Sequence, residues 1–285
     1  PLQFVFKLCR RRNVTSNMNK FIYILLVILS ISSCSPYQKA MKSDDIELKT
    51  KVFTQQIEKK KYLKAIRLFE QFASALRAKP QAETAFYNYA KALYATKQYI
   101  SAAYEFEKFS SSYPKSALAE EAAFLGAECY SRVSPIYSLD QVDTDKALSK
   151  IQIFVNKYPN SAFLPQANEI VKVLSEKLEL KAFEIAKQYN TIGEFTRDYN
   201  AAIVALDNFV FNFPGSKYKE DALFYKYDAM YKLATNSIPS KKQERLNSAK
   251  TYYQNLLKFK ADTKYLEQSN KMFATVEKEL KQYTN

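Results

Sequence analysis

The chain has 285 residues, 43 Lys and Arg against 29 Asp and Glu, a formal net charge of +14 and 47% hydrophobic residues. It contains no histidine, no tryptophan and only three glycines, Gly126, Gly193 and Gly215. Without histidine the commonest general base and metal ligand is gone. With about 1% glycine where roughly 7% is ordinary, tight hairpin turns and phosphate-cradling loops are nearly excluded, which favours an all-helical chain.

Residues 1–17, PLQFVFKLCRRRNVTSN, precede Met18, share no helical face with later segments and read as an upstream extension. From Met18 a short basic head, Asn19-Lys20, leads into the uncharged run Phe21 to Ile31 and then Ser32-Ser33-Cys34. That run is too short for the roughly 20 residues a membrane-spanning helix needs, so 18–33 is read as an export signal peptide. Ile31-Ser32-Ser33-Cys34 resembles the lipobox of bacterial lipoproteins, in which the cysteine is lipidated and becomes the mature N-terminus. Ile31 stands where leucine is commonest and Ser33 where glycine or alanine is usual, and a plain cleaved signal with Cys34 incidental is the competing reading. Lys7, Arg10, Arg11, Arg12 and Lys20 fall before Ser33 with no acid, so the rest of the chain carries an excess of nine cations, spread among both signs. Such mixing marks a solvated helical surface rather than a nucleic-acid footprint.

Residues 34–45 are polar and end in Asp44-Asp45, a tether leading to a helix N-terminus, where acids suit the dipole. From residue 46 onward helical repeats can be counted. Ala65, Ala102, Ala147, Ala202 and Ala249 each have bulky apolar residues four and seven positions on: Phe69 and Phe72, Phe106 and Phe109, Ile151 and Phe154, Leu206 and Phe209, Tyr253 and Leu256. Three of these segments end in aromatic-Pro-x-Ser, at Tyr113-Pro114-Lys115-Ser116, Tyr158-Pro159-Asn160-Ser161 and Phe213-Pro214-Gly215-Ser216. Proline stops one helix, and the serine hydroxyl can accept an orphan N–H at the start of the next. The most regular unit is 83–116, with Phe86, Tyr89, Ala90 and Leu93 on one helical face.

These positions resemble the tetratricopeptide repeat. The fold expected is all-α, a right-handed superhelical solenoid of about five helix hairpins over 46–285, with N-terminal repeats at about 46–160, C-terminal repeats at about 161–285 and a C-terminal capping helix from Leu266. Two departures stand out. About nine extra residues lie within SRVSPIYSLDQVDT, and the helix from Leu164 to Tyr189 runs seven turns. Most of the 22 Tyr and 20 Phe read as helix-helix filling.

Catalytic patterns fail on inspection. Ser112-x-x-Lys115 has the spacing of a serine-lysine pair but lies inside the repeat signature, and Tyr87-x-x-x-Lys91 lacks the glycine-rich loop of the reductases that use such a pair. Cys9, Cys34 and Cys129 form no ligand cluster, and Cys129 reads as a small core residue. No catalytic, cofactor-binding or metal-binding residue is expected. The residues favoured for function are a strip on the first helix of the regular unit, Tyr87, Lys91 and Tyr94, placed opposite Phe86, Ala90 and Leu93, with Thr54 and Tyr130 on neighbouring first helices. Exposed aromatics and a lysine suit a peptide and its carboxylate.

A lipidated cysteine, a tether and repeats with a lengthened middle helix resemble the BamD family, the tetratricopeptide-repeat lipoproteins of outer-membrane β-barrel assembly machines. The resemblance covers about residues 34 to 285. It implies a scaffold with no enzymatic activity, anchored by Cys34 on the periplasmic face of the outer membrane. Its C-terminal repeats would dock on the periplasmic domains of the barrel-forming component, and its N-terminal repeats would receive the C-terminal signals of unfolded outer-membrane proteins. The alternative is another tetratricopeptide-repeat lipoprotein that scaffolds cell-envelope, peptidoglycan or secretion machinery.

Overall fold

A computed structural model describes residues 35–283, so the upstream segment, the signal and Cys34 lie outside the described residues. All described secondary structure is helical, and the chain divides into two compact units between Cys129 and Tyr130. No helix among the described residues is long and apolar enough to cross a membrane.

The first unit contains α1 (Pro36–Lys42), α2 (Ile46–Glu58), α3 (Tyr62–Leu76), α4 (Ala82–Ala95), α5 (Tyr99–Ser112) and the start of α6 (Ala119–Val133). The expected polar tether is therefore a helix over much of its length. Ser35 caps it by accepting the Gln38 N–H at 3.3 Å, Pro36 occupies its first turn, and Ala40 is fully buried. Asp45 caps α2 as the sequence predicts, its carboxylate accepting the N–H groups of Glu47 at 2.8 Å and Leu48 at 3.2 Å. Consecutive helices pair as hairpins, α2 with α3 and α4 with α5, while α3 and α2 also lie against α4. The joint is aromatic: Phe69 meets Phe53 and Phe86 at 5.1 Å between ring centroids and stacks on Tyr89 at 4.5 Å.

The second unit continues from Tyr130 through α7 (Val142–Lys157), α8 (Leu164–Thr196), α9 (Asn200–Asn212), α10 (Lys219–Thr235), α11 (Pro239–Phe259), α12 (Leu266–Leu280) and a 3₁₀ turn, Lys281–Tyr283. Here α8 packs on α7, α9 and α10, and α10 packs on α11 and α12. Contacts between helices two apart, α8 with α10 and α10 with α12, are the mark of stacked hairpins. The long helix is 33 residues, about two turns beyond its expected end at Tyr189. The insertion is an ordered loop of residues 134–141. Buried Gln141 donates to the carbonyls of Ile136 and Leu139 at 2.8 and 2.9 Å, and α8 holds the loop through Lys177 to the Ser134 hydroxyl at 2.6 Å and Lys181 to the Leu139 carbonyl at 2.7 Å.

The five template alanines are all fully buried. Their partners four and seven positions on are buried too, except Tyr253, which is partly exposed and donates its hydroxyl to Asn270 at 2.7 Å. Small residues at these positions let paired helices approach, and each large one contributes about 1.5–3 kcal/mol by leaving water. Cys129 is fully buried among them.

The serines stand two residues before the cap position rather than at it. Ser116, Ser161 and Ser216 stand before α6, α8 and α10 and accept the N–H two residues on, from Leu118, Phe163 and Tyr218, at 3.0 to 3.2 Å. Thr263 is a fourth member that carries no proline before it: it is buried and accepts the Tyr265 N–H at 3.3 Å. In all four turns the carbonyl of this residue also accepts the N–H three positions on. Two hydroxyls reach back to an acid in the first turn of a preceding helix, Ser116 donating to Glu83 of α4 at 2.6 Å and Thr263 to Glu220 of α10 at 2.7 Å.

Candidate functional site

The strip on α4 is only partly a surface. Tyr87 is 5% exposed and packs its ring against Phe106 and Phe109 of α5, with centroids at 6.2 and 5.5 Å. The expectation of an exposed Tyr87 is thus corrected. Helix α4 is flanked by α2 and α3 on one side and α5 on the other, so its buried arc is wider than the single stripe of Phe86, Ala90 and Leu93. Tyr89, assigned to that stripe, is only partly buried and turns its hydroxyl to Glu70 at 3.3 Å.

Lys91 is half-exposed. Its ammonium lies 5.3 Å from the Tyr87 ring centroid and 3.6 Å from the Glu121 carboxylate on α6. The Tyr87 hydroxyl itself is buried without a hydrogen bond; burial first, and the Glu121 carboxylate second, push its pKa up and keep the phenol neutral. Tyr94, one turn on, is half-buried with its ring edge-on to Tyr99 at 5.6 Å. Thr54 is exposed on α2, which lies against α4, and donates its hydroxyl to the Thr50 carbonyl at 3.1 Å.

Tyr130 belongs to the second unit, where it is 8% exposed and its ring is covered by the ammonium groups of Lys146 at 4.7 Å and Lys150 at 5.3 Å. Thr54 thus lies on α2, and Lys91 and Tyr94 on α4, of one unit, with Tyr87 as the floor beneath Lys91. Sequence reasoning missed Glu121. The available signal was the paired acids Glu120-Glu121 in the first turn of α6.

A hollow of about 200 Å³ opens in the same unit between Arg77, Phe86, Glu105, Lys108, Phe109, Ser112 and Tyr113. Its floor is aromatic and its rim carries Arg77 and Lys108, the latter 3.9 Å from Glu105. Ammonium and guanidinium groups over apolar walls can receive a carboxylate attached to an apolar side chain, and they supply no nucleophile-base pair. Among the described residues no group of three or more His, Cys, Asp or Glu side chains is placed to hold a metal ion.

Stacked helix hairpins of this kind define a helical-repeat protein. The family model described as outer membrane lipoprotein, YfiO, matches residues 47–246, which takes in most of both units. The chain belongs to this outer membrane lipoprotein family. Among curated proteins it is 27% identical over 206 residues to one from Aquifex aeolicus (strain VF5) named for the outer membrane protein assembly factor BamD, covering 72% of this chain and 66% of that protein. It is 29% identical over 101 residues to the outer membrane protein assembly factor BamD of Caulobacter vibrioides (strain ATCC 19089 / CIP 103742 / CB 15), covering 35% of this chain and 33% of that protein. The matches thus span just under two thirds and one third of the lengths of these relatives.

Proposed function

We propose that this protein is a scaffold subunit of an outer-membrane β-barrel assembly complex, anchored through lipidated Cys34 and facing the periplasm. The observation that carries this reading is the family match across both repeat units, together with relatives named as assembly factors. In this reading the C-terminal repeats dock on the barrel-forming component. The first unit receives the C-terminal signal of an unfolded barrel protein along Thr54, Lys91 and Tyr94, with Tyr87 supporting Lys91 from below and Tyr130 lying further along the chain. Lys91 would exchange its contact with Glu121 for the client's carboxylate, an exchange between charge-assisted partners of similar strength.

Its action is binding, with no cofactor. Depleting the protein and measuring folded outer-membrane barrel proteins tests the role: levels should fall, and unchanged levels would sink it. Lys91→Glu combined with Tyr94→Ala should weaken crosslinking to a barrel-protein C-terminal peptide by about tenfold, as expected for an interface anchor. Unchanged crosslinking would remove this strip from the reading.

A further inference from the structure

The first unit begins at an edge with an unusual surface. Helix α1 starts directly after position 34, and buried Ala40 fixes it in place. The Lys64 ammonium lies 5.4 Å from the Tyr37 ring centroid, which ties the N-terminal end of α1 to the start of α3 and so to the α2–α3 turn. That turn is Lys59-Lys60-Lys61, all exposed. The α4–α5 turn repeats its backbone. Lys60 and Lys97 both take left-handed conformations, φ 53° and 61°, and each is followed by an N–H that reaches five residues back, Lys61 to the Gln56 carbonyl at 2.8 Å and Gln98 to the Leu93 carbonyl at 2.9 Å.

Successive hairpins in contact place both turns on one edge. Each turn is then followed by a tyrosine and an aliphatic residue that lies in water, Leu63 at 60% exposure after Tyr62 and Ile100 at 61% after Tyr99. From residue 58 to 64 the only acid is Glu58, while Asp44, Asp45 and Glu47 stand at the other end of α2.

We infer that this edge rests on an anionic phospholipid surface. Leu63 and Ile100 enter the headgroup region, and Lys59, Lys60, Lys61, Lys64 and Lys97 meet the phosphates. Exposed aliphatic residues beside tyrosine and lysine are the chemistry of interfacial attachment. The choice of a membrane over a protein partner follows from chain length and rests on the lipidation of Cys34 proposed above. Only Ser35 separates that cysteine from α1, and one residue reaches about 3.5 Å, so an acyl anchor there holds this edge at the bilayer. The lipid and the edge then act as two weak attachments in place of one.

The test uses the mature chain from residue 34 onward carrying Cys34→Ala, free of the apolar signal segment, sedimented with phosphatidylglycerol-phosphatidylcholine vesicles and with phosphatidylcholine vesicles. Binding is expected to the first and not to the second, with a loss of about fivefold for each of Lys60→Gln, Lys61→Gln and Lys97→Gln. Leu63→Asp with Ile100→Asp should release the protein while its helical circular dichroism and melting stay unchanged. Absence of binding to the anionic vesicles, or binding that ignores these substitutions, overturns the inference. So does a concentration-dependent dimer, formed without vesicles, that Leu63→Asp and Ile100→Asp abolish. Metabolic acyl labelling of the unsubstituted protein reports on Cys34 separately. Labelled protein whose Cys34→Ala form ignores anionic vesicles defeats the edge alone, and unlabelled protein whose Cys34→Ala form binds them through these residues defeats the anchor alone.

Discussion

Tyr87 and Lys91 stand one helical turn apart and have opposite fates. The helical period places them together on α4, but the ring is sealed under α5 while the ammonium stays in water. Tyr87 therefore acts through packing. Tyr87→Ala should lower the stability of the protein by about 3–5 kcal/mol, as for other large aromatic truncations. Tyr87→Phe should change it by less than about 1 kcal/mol, because the hydroxyl it removes has no hydrogen bond to lose. Thermal denaturation of the pair distinguishes a core ring from a client contact: a ring that served the client alone would leave the Ala variant as stable as the parent. Gly193 makes the complementary case. A Cβ there would come within 2.5 Å of the buried Tyr199 ring and 3.1 Å of the Asp198 carbonyl, so the glycine exists for close approach. Gly193→Ala should destabilise by about 1–3 kcal/mol from overpacking, against the gain of up to about 1 kcal/mol that alanine brings to a helix interior. A raised melting temperature would refute this.

Among the elements, the turns between hairpins carry the most information. One backbone turn recurs before α6, α8, α10 and α12, and in two of these places its hydroxyl clasps an acid at the start of a helix two elements earlier. Glu220 is the stronger clasp. Its carboxylate accepts from Lys260 at 2.8 Å, Thr263 at 2.7 Å and the Lys264 N–H at 3.0 Å, and these contacts, the lysine first, hold its pKa at about 2 against an ordinary 4.5.

Because the folded pKa is depressed, the contribution to stability is complete above pH 4.5 and is lost as pH falls through 2. The difference in melting temperature between the parent and Glu220→Gln should be widest above pH 4.5 and close toward pH 2. A pH-independent difference would assign the loss to geometry rather than charge. In the sequence, Thr263 stands at the same distance from its template alanine as the three serines do from theirs. Its missing proline hid it, since proline was the conspicuous mark while the hydroxyl does the bonding.

At the scale of the whole molecule, two compact helical units belong to an outer membrane lipoprotein family, and the proposed lipidation of Cys34 decides how they are held at the membrane. Cys34→Ala should move the protein from the membrane fraction toward the soluble one, since loss of the acyl chains leaves only the weak interfacial edge. An unchanged membrane fraction at high salt, where that edge is screened, would contradict lipid anchoring.

The helical class, the five second helices and their buried faces, the capped start of α2 and the lengthened α8 were readable from the sequence. They depend on period, proline position and composition, all of which are local. What only the tertiary structure decided depends on neighbours distant in the chain. A helix packed on two sides buries more than its apolar stripe, which took Tyr87 from the surface to the core. A segment of polar residues folds as α1, with Ala40 buried where that helix packs on α2. Glu121 becomes the partner of Lys91 only when α6 is laid beside α4. Those contacts lie 22 to 44 residues apart in the chain in cases such as Lys49 to Gln71 and Tyr265 to Asp221, a range over which local periodicity carries no information.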